Sequence, residues 1–126
     1  FEQVCLHHIP QIKKALGISG VLANVYSWSC RSFVDSTGAE WRGGQIDMLI
    51  DRADGAINIC EMKYAKDEFV IDASYEQRLR DRMSSFSVAT KTKKALLHTF
   101  ITTYGVKQNM HSGLVNSEVR MNDLFG

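Results

Sequence analysis

The sequence predicts an α/β fold built on a mixed sheet, and three stretches carry that prediction. A β-hairpin signature spans residues 43–64, where runs rich in Ile, Met and Leu flank an Ala-Asp-Gly turn at 53–55. A helical pattern follows over 73–89, and the nearly continuous apolar run at 93–104 is typical of a buried central strand. A strand, helix, strand order favours a crossover that returns to pair in parallel, so antiparallel and parallel pairing should meet in one sheet.

Composition and charge are those of an ordinary globular domain. The 126 residues are 44% hydrophobic and 23% charged, which suits a single domain over residues 1–126 with one core. The net charge of +1 gives no overall basic field, so contact with DNA requires a local basic patch. The three cysteines form no CxxC pair, which indicates free thiols and a cytoplasmic location. No apolar run approaches the ~20 residues that cross a bilayer, so no membrane contact is expected.

Two elements are predicted before the hairpin. Apolar residues at helical spacing indicate a first helix over residues 1–16, interrupted at Pro10 and stopped by Gly17. A β-prone run at 21–33 indicates the first strand. The polar stretch from 35 to 44 predicts a mobile loop that leads into the hairpin.

Three features are predicted after the hairpin. Asp72 is suited to be the N-cap of the helix over 73–89. The alternating run at 113–121 indicates a short edge strand, and residues 123–125 indicate a terminal turn. The predicted order is therefore helix, three strands, helix, strand and a short edge strand.

The charges of the hairpin are its unusual feature. Side chains on a strand alternate faces, so Glu61 and Lys63 project to the same side at the end of an otherwise apolar strand face. A two-residue turn would turn Glu61 away from Asp47. A three-residue turn with Gly55 in the left-handed conformation places Asp47 opposite Glu61. We favour the three-residue turn, because it gathers two carboxylates and a lysine at one end of the hairpin.

Such a trio suits metal-assisted hydrolysis of a phosphodiester. Carboxylate oxygens are the ligands that Mg²⁺ prefers, and the bound ion keeps waters and can take up a phosphate oxygen. The metal stabilises transition-state charge and helps to generate hydroxide, while a lysine orients the attacking water. We therefore predict a Mg²⁺ site, in which Mn²⁺ can substitute, at Asp47 and Glu61, with Lys63 beside the water. The alternative is a surface ion pair with no metal.

The hairpin also resembles a known signature. Asp47, thirteen intervening positions and then Glu61-Met62-Lys63 resemble the D…ExK pattern of the PD-(D/E)XK, or restriction-endonuclease-like, nuclease superfamily. The likeness extends over nearly the whole chain, through FEQVCLHHIPQIKKALGISG, GGQIDMLIDRADGAINICEMKYAKDEFVID, KKALLHTFITTYGVK and NDLF. That series resembles the C-terminal domain of a group of bacterial P-loop ATPases whose tail is a module of this superfamily. The resemblance implies a restriction-endonuclease-like fold, with a mixed central sheet flanked by helices.

The resemblance implies roles for further residues. A first-helix carboxylate often lies beside the metal in this fold, so Glu2 is a candidate catalytic acid, although a solvated acid favoured by the helix dipole explains it as well. The Met62 carbonyl is a candidate third metal ligand. The 73–89 helix often supplies a basic residue to the phosphate, and Arg80 and Arg82 are the candidates for binding nucleic acid. An exposed arginine-rich helix face is the simpler alternative for both.

Two functions stay open on the sequence alone. The first is a Mg²⁺-dependent deoxyribonuclease that follows a P-loop ATPase domain in a longer protein, as the start at Phe1 rather than Met also leads us to expect. The second is a catalytically inactive DNA-binding or regulatory module of that ATPase. The sequence contains no GxxxxGK[ST] loop and no GxSxG motif. Its four histidines lack the spacing of a zinc site.

Overall fold

A five-stranded mixed sheet forms the centre of the computed structural model, which describes residues 1–125. The strands are β1 (Ala23–Cys30), β2 (Phe33–Val34), β3 (Glu40–Trp41), β4 (Gly44–Arg52), β5 (Ala56–Lys63), β6 (Ala95–Thr102) and β7 (Val115–Arg120). The helices are α1 (Glu2–Leu6), α2 (Ile9–Ala15), α3 (Ala73–Thr90) and α4 (Met121–Phe125), with one 3₁₀ turn at Ser112–Leu114. No helix in this part of the chain is long and apolar enough to cross a bilayer.

The sheet joins antiparallel and parallel strands, as predicted. Its order is β1-β4-β5-β6-β7. Strands β1, β4 and β5 pair antiparallel, whereas β5, β6 and β7 pair in parallel. Helix α3 forms the crossover from β5 to β6, and β7 lies at the edge, so the predicted central and edge strands are both confirmed. Strand β5 therefore occupies the middle of the sheet, with a neighbour on either side.

The two faces of the sheet carry separate apolar clusters. One face packs against α1, α2 and α4, and the other packs against α3. Along β5, Cys60 belongs to the first face, while Ile57 and Ile59 belong to the second. This alternation fixes the side on which each polar residue at the end of β5 must lie.

The turn between β4 and β5 has the predicted register. Met48 pairs with Cys60 and Asp51 pairs with Ile57, as a three-residue turn requires. Gly55 adopts φ of 94°, a conformation that glycine takes at little cost.

Strand β4 also contains an irregularity that the sequence did not indicate. Tyr26 pairs with Leu49, but Trp28 pairs with Ile46, so residues 47–48 stand opposite a single residue of β1. This is the arrangement of a β-bulge, which bends a strand and shifts the alternation of its side chains. Consequently Ile46 and Leu49, three positions apart, pack in the same apolar cluster.

Both ends of the chain differ in detail from expectation. The predicted first helix is divided into α1 and α2, with Pro10 in the first turn of α2. Proline is tolerated there because its missing N–H has no partner within the helix. Gly17 ends this segment with φ of 74°, as predicted. The predicted terminal turn lies within the short helix α4.

The polar stretch before the hairpin is not the simple loop that we predicted. Strand β3 lies within it and pairs with β2, which directly precedes it, to form a two-stranded ribbon, and the rings of Phe33 and Trp41 stack at 6.5 Å. Asp35 holds the turn, since its carboxylate accepts hydrogen bonds from Thr37, Ala39 and the Trp41 indole. These side-chain bonds, which depend on local geometry, are the reason that composition alone misread this stretch.

Gly43, where the ribbon enters β4, allows a close backbone approach. A Cβ placed there would lie 2.4 Å from the Cys30 carbonyl oxygen and 2.8 Å from backbone atoms of Arg31 and Ser32. Because backbone cannot move aside as a flexible side chain does, we expect Gly43→Ala to lower the free energy of unfolding by about 1–3 kcal/mol. Urea denaturation measures it. Gly113→Ala is the control, since a Cβ there meets open space, and equal loss in both variants would contradict the explanation.

Candidate active site

Glu61 and Lys63 lie on the α3 face of the sheet, at the carboxyl end of β5. Glu61 contacts Tyr75 and Arg82 of α3. The Lys63 ammonium stands 5.2 Å from the centroid of the Tyr75 ring. Cys60 packs in the cluster on the opposite face. The predicted placement of the acid and the lysine on a common side is therefore confirmed.

The carboxylate of Glu61 is buried and engaged on both oxygens. Glu61 is 8% exposed. Its Oε1 accepts a charge-assisted hydrogen bond from Arg82 Nη2, and its Oε2 accepts one from the Tyr75 hydroxyl at 3.2 Å. Burial, with the neighbouring Glu61 charge, raises the pKa of the Tyr75 phenol, so the hydroxyl remains a donor at neutral pH. A buried carboxylate requires partners of this kind.

Arg82 connects this acid to the neighbouring strand. Its Nη1 donates to the Gln45 carbonyl at 3.3 Å, while its Nε is buried and has no hydrogen-bond partner among residues 1–125. The guanidinium is therefore held by Glu61 and one carbonyl but retains a donor that is not used. An arginine with an unused buried donor is available for a further acceptor.

A basic cleft opens beside Glu61, between the start of β4 and the middle of α3. Its volume is about 240 Å³. The charged residues that line it are Arg42, Arg78, Asp81 and Arg82. Because Arg82 is paired with Glu61, Arg42 and Arg78 against Asp81 leave a local positive excess, although the net charge of the chain is only +1. Planar guanidinium groups bind phosphate oxygens in pairs, so the cleft has the chemistry of a phosphate site.

Asp47 lies at the bulge of β4. The ladder between β4 and β5 ends at Met48 and Cys60, one residue before the predicted pairing of Asp47 with Glu61. Asp47 is exposed, and its Oδ1 accepts a hydrogen bond from Gln45 Nε2 at 2.8 Å. No hydrogen bond or ion pair in the described part of the chain joins Asp47 to Glu61. The register of the hairpin is as predicted, but the bulge displaces the first acid from regular pairing.

The remaining predicted residues lie away from this cluster. Arg80 is bound to Glu76 one helical turn away, at 2.7 Å, and does not line the basic cleft. Glu2 belongs to α1, which packs on the opposite face of the sheet. The ring of the neighbouring Phe1 contacts the ring of Tyr64, the residue that follows β5, at 6.0 Å.

Sequence reasoning missed three residues of this site. Tyr75 falls at an apolar position of the helical pattern over 73–89, but a tyrosine at a core position needs a partner for its hydroxyl, and that is the signal that could have found it. Arg42 and Arg78 carry no comparable signal, because only the fold brings the ribbon against α3. The site therefore depends on packing between segments about 35 residues apart in the chain.

The donor types at the end of β5 fit a hard divalent cation. Glu61 supplies a carboxylate, the adjacent Met62 a carbonyl, and Asp47 a second carboxylate on the next strand. Residues 1–125 contain no group of three or more His, Cys, Asp or Glu side chains placed to hold a metal. A metal here would rely on two acids, a carbonyl and water. Arg82 already occupies one of the acceptor positions of Glu61, on Oε1.

Comparisons with known proteins bear on the fold. No family model matches the chain, and no curated protein matches it significantly. A solved structure, the crystal structure of a protein of unknown function named AF1548, is similar with a TM-score of 0.55 at 12% sequence identity. The match covers 92% of this chain and 56% of that one, so this chain spans little more than half of its structural neighbour. The likeness supports the α/β architecture and carries no functional information.

His98 lies on β6, on the same face of the sheet as Glu61. Its titration makes the free energy of unfolding depend on pH. It is 4% exposed, and burial, followed by the charges of Arg82 and Arg80, lowers its pKa to about 4. An unfolded histidine titrates near pH 6.5, so only the unfolded chain gains a proton between roughly pH 6.5 and 4. The contribution of neutral His98 is complete above that window and is lost as pH falls through it. We expect a loss of about 3 kcal/mol by pH 4.

Chemical denaturation of the wild type and of His98→Leu, at pH 7 and at pH 4.5, measures this contribution. The decline with acid should be smaller in the variant, because leucine removes the titrating group. Parallel declines in both proteins would contradict the assignment.

Proposed function

We propose that the chain is a metal-dependent phosphodiesterase domain of the restriction-endonuclease-like class, and that its substrate is DNA. One observation carries the proposal: the buried Glu61 and neighbouring Lys63 share a sheet face next to a cleft lined by three arginines. Carboxylate, lysine and phosphate-binding arginines are the groups that phosphodiester hydrolysis requires. A structural ion pair explains Glu61 alone but gives no reason for the adjacent cleft.

The order of elements supports a restriction-endonuclease-like topology. The N-terminal helices are followed by three antiparallel strands of one sheet, a crossover helix and a parallel strand. This is the predicted helix, three strands, helix and strand order, with the β2–β3 ribbon inserted and β7 added at the edge. The central antiparallel pair carries the candidate acids at one end.

Each residue has a distinct role in the proposed reaction. Asp47, Glu61 and the Met62 carbonyl would hold Mg²⁺, which stabilises charge on the phosphate and activates water. Lys63 would orient the attacking water and neutralise the developing charge. Tyr75 would keep the Glu61 carboxylate oriented by donating to Oε2.

The arginine cleft would position the DNA backbone. Arg42 lies between β3 and β4, Arg78 belongs to α3, and both line the cleft. Contacts of this kind fix the register of a nucleic acid without reading its sequence. We further propose that this domain serves a P-loop ATPase domain of the same protein, in the cytoplasm, as the sequence resemblance suggests. Glu2 is kept as a possible additional acid at the metal.

A second candidate function is a DNA-binding or regulatory module without catalysis. The observation in its favour is that both oxygens of Glu61 already have protein partners. A buried acid satisfied in this way can serve the packing of α3 on the sheet and nothing else. The basic cleft would then bind DNA by itself.

Binding of Mn²⁺ and cleavage of DNA separate the two candidates. If the domain is a nuclease, the wild type should bind Mn²⁺ and cut plasmid or single-stranded DNA, and Glu61→Ala should lose both. Loss of one metal ligand should reduce the cleavage rate on the order of a hundredfold or more. The control is Glu68→Ala, an exposed acid on the segment after β5. Absence of Mn²⁺ binding in the wild type would favour the non-catalytic module.

DNA affinity tests the cleft independently of catalysis. Arg78→Ala should weaken binding of a duplex oligonucleotide and reduce the slope of log affinity against log salt by about 1, since one phosphate contact is lost. Arg80→Ala is the matched control, because it removes the same charge from the same helix outside the cleft. Fluorescence anisotropy over a range of salt concentrations measures both. Equal effects would indicate a general electrostatic contribution rather than a defined cleft.

A further inference from the structure

We propose that Arg82 is a latch that couples phosphate in the cleft to metal binding at Glu61. The inference rests on the proposed function, because it concerns the regulation of the same site. In the free protein, Arg82 neutralises Glu61 and blocks one of its oxygens. A phosphate group in the cleft draws the guanidinium away and releases the carboxylate for the metal.

Arg82 and a bound metal ion would share the same Glu61 carboxylate. Glu61 has two oxygens, and the structure assigns Oε1 to Arg82 and Oε2 to the Tyr75 hydroxyl. A cation and a guanidinium cannot occupy the same oxygen along the same direction, and their positive charges repel each other. Arg82 on Oε1 therefore opposes metal binding at Glu61, by taking one of the acceptor positions of the carboxylate and by placing a positive charge beside the ion.

Arg82 contacts both the Glu61 carboxylate and the basic cleft. It bonds to Glu61 and also lines the cleft with Arg42 and Arg78. Its side chain retains 18% exposure, so it can be reached from the cleft, whereas its Nε has no partner within the described chain. Once the guanidinium has turned into the cleft, a phosphate oxygen can accept from that nitrogen, and the anion can bind the guanidinium in bidentate fashion.

Phosphate binding in the cleft and metal binding at Glu61 should favour each other. Moving Arg82 onto an oxyanion leaves Glu61 with an uncompensated charge in a buried place, and that charge is stabilised by a divalent cation. Phosphate and metal therefore raise each other's affinity, as linkage requires of any two ligands that favour the same state. The protein would therefore bind the metal more tightly when a phosphate group occupies the cleft.

Mn²⁺ titration of the isolated 126-residue chain by calorimetry, without DNA, tests the latch. Arg82→Met removes the guanidinium and should raise Mn²⁺ affinity roughly tenfold, within the usual range of coupling between sites. Arg80→Met is the matched control, since it removes the same charge from the same helix but pairs with Glu76 rather than Glu61 and lies outside the cleft. It should change the affinity less than about twofold, which measures the effect of charge alone.

A second measurement uses the wild type and does not depend on how a variant folds. Sulfate serves as the oxyanion probe, compared with chloride at equal ionic strength and equal free Mn²⁺. Sulfate should raise the Mn²⁺ affinity of the wild type severalfold. It should have little effect on Arg82→Met, once circular dichroism has shown that this variant is folded.

The outcomes separate the latch from the proposed function. Equal Mn²⁺ affinities in the wild type and Arg82→Met, with no effect of sulfate, would overturn the latch while leaving a metal site whose loss in Glu61→Ala supports the nuclease. If neither the wild type nor Arg82→Met binds Mn²⁺, both proposals fall. Tighter binding in Arg82→Met alone, together with sulfate dependence in the wild type, is the result that the latch requires.

Discussion

The burial of the Glu61 carboxylate is the constraint on which the arrangement of the site depends. An ionised acid at 8% exposure is tolerated only where charged and polar donors replace the water that it has lost. Those donors come from α3, through Arg82 and Tyr75. The helix therefore contributes more than apolar packing, because its position on the sheet is also fixed by two polar contacts with the central strand.

The same contacts bring the arginines together. With Arg82 bound to Glu61, the middle of α3 lies against the start of β4, and Arg42 and Arg78 line the same cleft. Like charges in one cleft repel, so this arrangement has a cost that an anion relieves. A basic cleft next to a neutralised acid suits a protein that binds a phosphate group there. This arrangement connects the proposed latch with the proposed nuclease activity.

The β4–β5 hairpin pairs regularly between its turn and Met48, and the bulge in β4 lies just beyond that regular part. The turn at Gly55 and the register near it are standard for a three-residue loop. Farther along, the extra residue opposite β1 ends the ladder before Asp47. Bulges often occur beside functional sites, where they redirect a side chain. Asp47 is exposed at this position, where it can move more freely than the buried Glu61 can.

The sequence by itself determined the order of elements, the turn register, and the common face of Glu61 and Lys63. These follow from local rules of alternation, helical spacing and turn chemistry, which act over a few residues. The tertiary structure alone decided that Arg82, rather than Arg80, bonds to Glu61, and that Arg42 and Arg78 line the same cleft. The reason is physical: neighbouring arginines on one helix look alike in sequence, and only the packing angle of the helix on the sheet selects which one points inward.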